Sequence, residues 1–266
     1  MNRESAVAFI QTHGNVIEKA RLGVMRGDDA LVAQALRALS AGQRPDGGWA
    51  PFWAPCAPSV DATCYALAQA EQMGLHREPF ALRAAGFLAA RQRSDGSFEE
   101  EAALAPLAPP WALPGDMKAR VYLTANAAYW LQVVGGAPRE VAKAVDWLDG
   151  IVLEDGRLPS FLHAHWLTAG LLFGAGRAAA AGRIMGFLCG RLEDLDAGNL
   201  AWLAVALRLA GVAADTELLV RARARLSTLQ SGDGRWPGED GEGQDVHTTL
   251  EALRALDAFG EERREA

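Results

Sequence analysis

One loop phrase recurs along this chain and constrains its fold more than any single motif. LSAGQRPDGGWAPF (Leu39–Phe52), LAARQRSDGSFEE (Leu88–Glu100), LDGIVLEDGRLPSF (Leu148–Phe161) and LSTLQSGDGRWPGE (Leu226–Glu239) share one pattern. Each ends a helical run, turns at Asp-Gly and resumes with an apolar or aromatic residue. The glycine accepts the positive φ that a tight turn demands. A fifth, eroded copy lies around RLEDLDAGNL (Arg191–Leu200). Self-similarity at this spacing belongs to repeat architectures, whose units bury their faces against neighbours.

Between the phrases lie paired helical patterns of opposite character. VDATCYALAQA (Val60–Ala70), VYLTANAAYWLQVV (Val121–Val134), SFLHAHWLTAGLLF (Ser160–Phe173) and AWLAVALRLA (Ala201–Ala210) are nearly free of charge. FALRAAGFLAARQR (Phe80–Arg93), PREVAKAVDWLDG (Pro138–Gly150) and TELLVRARARLSTL (Thr216–Leu229) are amphipathic. A helix apolar all round is buried all round, whereas a striped one keeps a face in water. The reading is therefore inner helices near 13–27, 59–73, 118–134, 160–175, 197–211 and 244–259. Outer helices fall near 30–42, 79–91, 138–149, 178–192 and 215–229, with Glu4–Thr12 beside the last inner helix. No stretch alternates as a strand does. The expectation is an all-α chain, an α6/α6 toroid of helical hairpins forming one domain over residues 1–260, with a disordered tail at 261–266.

Half of the 266 residues are hydrophobic and 22% are charged, enough for a sizeable core. The net charge of −7 and dispersed basic residues argue against nucleic acid as a partner. Three cysteines without C-x-x-C spacing point to a reduced, cytoplasmic setting. The opening MNRESAVAFIQTHGNV lacks the apolar core of a signal peptide. The uncharged run Leu158–Gly176 holds a proline, two histidines and several glycines, and reads as a buried core helix. Peripheral membrane contact stays open, as does the oligomeric state.

The phrase Gln-x-x-Asp-Gly-x-Trp, whole at Gln43–Trp49 and Gln230–Trp236, resembles the QW repeat of squalene–hopene and oxidosqualene cyclases. These belong to the prenyltransferase/squalene-oxidase repeat group. The resemblance implies a toroid, here a single-domain relative, and a class II terpene cyclase activity without a cofactor. Class II cyclases carry Asp-x-Asp-Asp-Thr-Ala at the start of an inner helix, and its middle Asp protonates an alkene or epoxide. Ser59-Val60-Asp61-Ala62-Thr63-Cys64 keeps that Asp as Asp61 and the Thr as Thr63, and replaces the flanking acids by Ser59 and Ala62. The resemblance thus implies Asp61 as general acid, with Ser59 as its hydrogen-bond partner. The substrate would be a linear isoprenoid or meroterpenoid in an apolar lumen whose aromatic faces stabilise the travelling cation. Trp53, Tyr65, Tyr122, Tyr129, Trp130, Trp166 and Trp202 supply candidate faces, and His247 a further contact.

Each of these residues also has a structural reading. Ser59 suits an N-cap, and Asp61 in the first turn complements the helix dipole; Asp-Val-His-Thr-Thr at Asp245 opens the last inner helix in a similar way. The aromatic residues can be core packing. Trp49 and Trp236 belong to the repeat loops, and His163 and His165 read as structural. Asp245 and His247 resemble part of the zinc site of protein prenyltransferase β subunits. The matching Asp-x-Cys is missing, as are an Asp-Asp-x-x-Asp cluster and a Gly-Cys-Gly-Glu-Gln thioester, so no metal is expected. Glu18 and Arg21 read as helix-bridging residues. The alternative function is a non-catalytic toroid that binds an apolar prenyl- or polyketide-like ligand or a partner protein.

Overall fold

The computed structural model describes residues 1–238 and 241–258, and among them every regular element is helical. Twelve α-helices run in order: α1 Arg3–His13, α2 Val16–Met25, α3 Val32–Gly42, α4 Val60–Gln72, α5 Pro79–Ala89, α6 Met117–Val134, α7 Pro138–Asp149, α8 Leu162–Gly174, α9 Ala178–Cys189, α10 Ala197–Leu209, α11 Glu217–Thr228 and α12 Asp245–Ala258. Each expected helix is present, with ends within a few residues of the periodicity. The expected tail at 261–266 and the last residue of the inner helix at 244–259 lie outside the described residues. No helix among the described residues is long and apolar enough to cross a membrane. The uncharged run at 158–176 is mostly α8, whose central residues are buried.

The chain divides into two compact units, Leu36–Met185 and Met1–Ala35 with the described residues from Gly186 onward. In the first of these, α6 packs against α4, α5, α7 and α8. It is buried almost continuously from Ala119 to Tyr129, as a helix without charge from Val121 onward must be. In the other unit α12 packs against α1, α2, α10 and α11. The N-terminal segment thus lies beside the last inner helix as expected, with an Arg3–Asp257 ion pair between α1 and α12.

The repeat phrases are joined to the helices by a recurrent set of hydrogen bonds. Gln43 Nε2 donates to the carbonyls of Gly47 (2.9 Å) and Phe80 (2.8 Å), Gln92 to Gly96 (3.0 Å) and Glu140 (2.7 Å), and Gln230 to Gly234 (2.7 Å) and Asn2 (2.9 Å). One amide thereby closes its own turn and holds a helix outside it. The indoles of Trp49 and Trp236 donate back to Leu39 (3.1 Å) and Leu226 (2.8 Å).

A second lock fixes four of the inner helices. The hydroxyls of Thr63, Thr124 and Thr249 accept from the backbone N–H of Trp49 (3.1 Å), Phe98 (2.8 Å) and Trp236 (3.0 Å). In the third phrase His165 takes this place: Nε2 accepts from Leu158 N–H at 3.0 Å, and Nδ1 donates to Phe161 O at 3.0 Å. A ring nitrogen that accepts carries no proton, so the bonding sets a neutral Nδ1–H tautomer. The lock also sets a common register among the inner helices. The residue two places before it is Asp61 in α4, Tyr122 in α6, His163 in α8 and His247 in α12. Asp245, which resembles Asp61 in sequence, is by this register the counterpart of Ser59.

Candidate active site

Helix α4 begins at a crowded terminus whose free N–H groups all need acceptors. Ser59 Oγ accepts from Ala62 N–H at 2.9 Å. Glu100, reaching in from the second repeat phrase, accepts from Val60 N–H (2.9 Å) and Asp61 N–H (3.0 Å) through its two oxygens. The Ser59 hydroxyl also bonds to Glu100. The cap of α4 is therefore built by Ser59 and Glu100, and the Asp61 carboxyl takes no part in it. Ser59, expected to hold Asp61, holds the helix end instead.

The Asp61 carboxyl turns toward α6. Its Oδ1 accepts from Tyr122 Oη at 2.8 Å and from Asn126 Nδ2 at 3.2 Å, and its Oδ2 accepts from Trp111 Nε1 at 3.2 Å. Asn126 Nδ2 also lies 3.3 Å from the Tyr122 hydroxyl, so a buried amide and phenol bracket one oxygen. Burial pushes the Asp61 carboxyl above the ordinary carboxylate range, opposed by the bonds from Tyr122, Trp111 and Asn126 in that order. Part of the residue's surface nonetheless remains accessible. Along α4 as far as Ala70 the less buried positions are Asp61, Ala62, Tyr65, Ala68 and Gln69, a single helical stripe. Val60, Thr63, Cys64, Ala66, Leu67 and Ala70 face the core.

Two neighbours stay uncharged near neutrality for the same reason. Burial, then the charges of Asp61 and Glu100, push the Cys64 thiol well above its usual value. Burial, then Asp61, does the same to the Tyr122 phenol, which remains a donor. Glu100 is carried up to about 7, by burial first, with Asp61 adding to the rise and the backbone and Ser59 bonds opposing it.

The other residues expected at the site are dispersed. Tyr65 is exposed and lies one turn beyond Asp61; Trp53 is half-buried in the loop before α4. Tyr129 is buried edge-on against Trp130, with centroids 5.3 Å apart. Trp166 is buried against His163 at 4.9 Å, and His163 in turn meets the Tyr122 ring edge-on at 6.1 Å. Trp202 and His247 belong to the other unit, packed edge-on at 5.8 Å. There Arg21 forms a buried ion pair with Glu251 and approaches His247 Nδ1 at 3.3 Å. A guanidinium only donates, so Nδ1 accepts. Burial first, and then the Arg21 charge, lower His247 to about 4. Arg21 thus bridges helices as expected, whereas Glu18 closes a capping box with Asn15 on its own helix.

Glu100, Trp111 and Asn126 escaped the sequence reading. Asn126 had a usable signal: it is the amide four residues beyond Tyr122 in an uncharged helix, where one face must carry both. Glu100 sits in an acidic triplet and Trp111 in a proline-rich loop, and neither context marks a side chain that reaches α4.

This arrangement sits in a fold with known relatives. The type II terpene cyclase MstE from Scytonema superposes with a TM-score of 0.66 at 18% identity, over 95% of this chain and 96% of that one. The fold is that of a type II terpene cyclase. An Asp-to-Asn variant of MstE in complex with geranylgeranyl dihydroxybenzoate, its substrate, matches equally well (TM-score 0.66, 18% identity, 97% and 96% covered). A protein from Actinoplanes shares the fold at 22% identity (TM-score 0.61, 92% and 89% covered). The α/α-toroid class expected from the hairpin repeats is the class of these terpene-cyclase folds. No family model and no curated protein matches the sequence.

Proposed function

We propose that the protein is a proton-initiated cyclase of a linear isoprenoid or meroterpenoid, with Asp61 as general acid. The observation that carries this reading is the Asp61 carboxyl itself: withdrawn from bulk water, released from capping, and held by three donors. Burial disfavours the ionised form of the acid before reaction. The Tyr122, Asn126 and Trp111 donors stabilise the carboxylate as the proton leaves, which offsets the loss of acidity that burial alone would bring. Oδ1 already receives two donors and Oδ2 one, so Oδ2 carries the transferable proton. That proton goes to a terminal alkene carbon, the adjacent carbon becomes a tertiary cation, and successive alkenes close rings onto it. Loss of a proton from the final cation restores neutrality, so substrate and product are isomers. The substrate class is supported by the ligand named for the MstE complex, and Tyr65 on the accessible stripe of α4 offers an aromatic face to it.

The test is incubation of the purified protein with geranylgeranyl dihydroxybenzoate and with linear polyprenyl alcohols, beside the Asp61→Asn variant. A product of unchanged mass with fewer alkene protons, formed by the wild type and absent from the variant, is expected. Equal turnover by both proteins would remove Asp61 as the acid.

A further inference from the structure

The three glutamates after Phe98 go to different places. Glu99 pairs with Arg93 (2.8 Å) and Arg120 (3.1 Å), and Glu101 pairs with Arg91 (3.0 Å). Glu100, between them, turns inward and is 4% exposed. Its two oxygens rest on consecutive amide groups of α4, those of Val60 and of Asp61 itself. A helix start favours a negative charge, and each charge-assisted bond is stronger than a neutral one. The buried carboxylate is thus held by backbone rather than by the arginines that serve its neighbours.

We propose that Glu100 is a positioning residue for Asp61: it takes the amide groups that open α4, so that the Asp61 carboxyl is left to Tyr122, Asn126 and Trp111. This rests on the reading of Asp61 as the acid. With Glu100 gone, the N–H groups of Val60 and Asp61 lose their acceptor, and the carboxylate left at that helix start is Asp61 itself, which the positive end of α4 attracts. The other groups around the pair do not compete for this role. Cys64 on α4 and Tyr122 on α6 are both neutral through the range. His163 of α8 reaches the pair only through the Tyr122 ring, the turn at Pro110–Ala112 contributes the uncharged Trp111, and the Arg93 and Arg120 charges are engaged by Glu99.

The experiment is a carboxyl-carbon NMR titration of Asp61 in the wild type and Glu100→Ala, each with and without Tyr122→Phe. In the wild-type background Tyr122→Phe removes a donor to the carboxylate and raises the Asp61 midpoint, by about one pH unit for one such bond. In Glu100→Ala the carboxyl turns to its own helix start, so Tyr122→Phe leaves the midpoint where it is. An equal shift in both backgrounds overturns the proposal and leaves Glu100 as a cap alone. If Glu100→Ala does not fold, Glu100→Gln, whose single carbonyl oxygen serves one of the two N–H groups, takes its place: a smaller Tyr122→Phe shift than in the wild type supports the proposal, and an equal one refutes it. The titration reads the proton without turnover, so an inactive wild type, or an active Asp61→Asn, defeats the cyclase reading without deciding this one.

Discussion

The Tyr122 hydroxyl stands 2.8 Å from Asp61 Oδ1, and the two residues occupy the same place in successive repeats. Both lie two positions before the residue that locks an inner helix to its loop, Thr63 in one repeat and Thr124 in the next. A single backbone device therefore brings an acid on α4 against a phenol on α6. One turn further along α6, Asn126 reaches both groups.

Tyr122→Phe removes the shortest donor to Asp61 and leaves the ring packed. A hydrogen bond to a charged group is worth about 1.5–3 kcal/mol, so turnover falls roughly 10- to 100-fold while the fold persists. The same bond lowers the Asp61 pKa, and its loss raises the titration midpoint. Trp111→Phe acts in the same direction with a smaller effect, because its bond is 3.2 Å long and the residue is 37% exposed. Steady-state rates of the two variants, compared on one substrate, check the order.

Ser59→Ala separates helix capping from acid chemistry. Losing a serine N-cap costs about 1 kcal/mol, to be read in urea denaturation. Asp61→Asn, whose side chain caps nothing, leaves stability near that of the wild type. Should Asp61→Asn destabilise as a lost cap does and Ser59→Ala not, the assignment of the cap is wrong.

Two buried groups predict opposite slopes of stability with pH. His247 titrates at about 4 in the folded chain, below its ordinary 6.5. Its contribution is complete above about 6.5 and is lost as pH falls toward 4, by roughly 3 kcal/mol in all. Glu100 runs the other way, with a folded value of about 7 against an ordinary 4.5. Its contribution is complete below 4.5 and is lost as pH rises through 7. Denaturation midpoints measured from pH 4 to 8 check both: His247→Gln flattens the acid side, and Glu100→Gln the neutral side.

Two glycine substitutions test the repeat geometry. Gly96 turns the second phrase with φ +94°, and a Cβ there would meet the Lys143 carbonyl at 2.7 Å. Gly96→Ala is expected to destabilise by more than about 1 kcal/mol. Gly86, inside α5 with open space around its Cβ position, should gain about 0.5–1 kcal/mol on substitution by alanine. Thermal melts of the two variants should move in opposite directions.

The helices and their order were legible because their signals are local. Charge-free and striped segments alternate, Asp-Gly punctuates them, and most helices bury a face against close neighbours in the chain, α12 against α1 and α2 being the long-range exception. The site was legible in part. Asp61 and Tyr122 stand at helix positions that the pattern marks, although nothing in PSVDAT says whether the acid caps its helix or points away. That choice belongs to Glu100, 39 residues on, while Trp111 and Asn126, 50 and 65 residues on, decide where the freed carboxyl goes. Hydrophobic periodicity records which face of a helix is buried. It does not record which distant side chain satisfies a given N–H or oxygen, since many acceptors fit a helix end equally well until packing selects one. The chain order of residues thus determined an all-helical repeat protein with an acid at an inner helix start, and only the assembled tertiary contacts turned that acid away from its own helix.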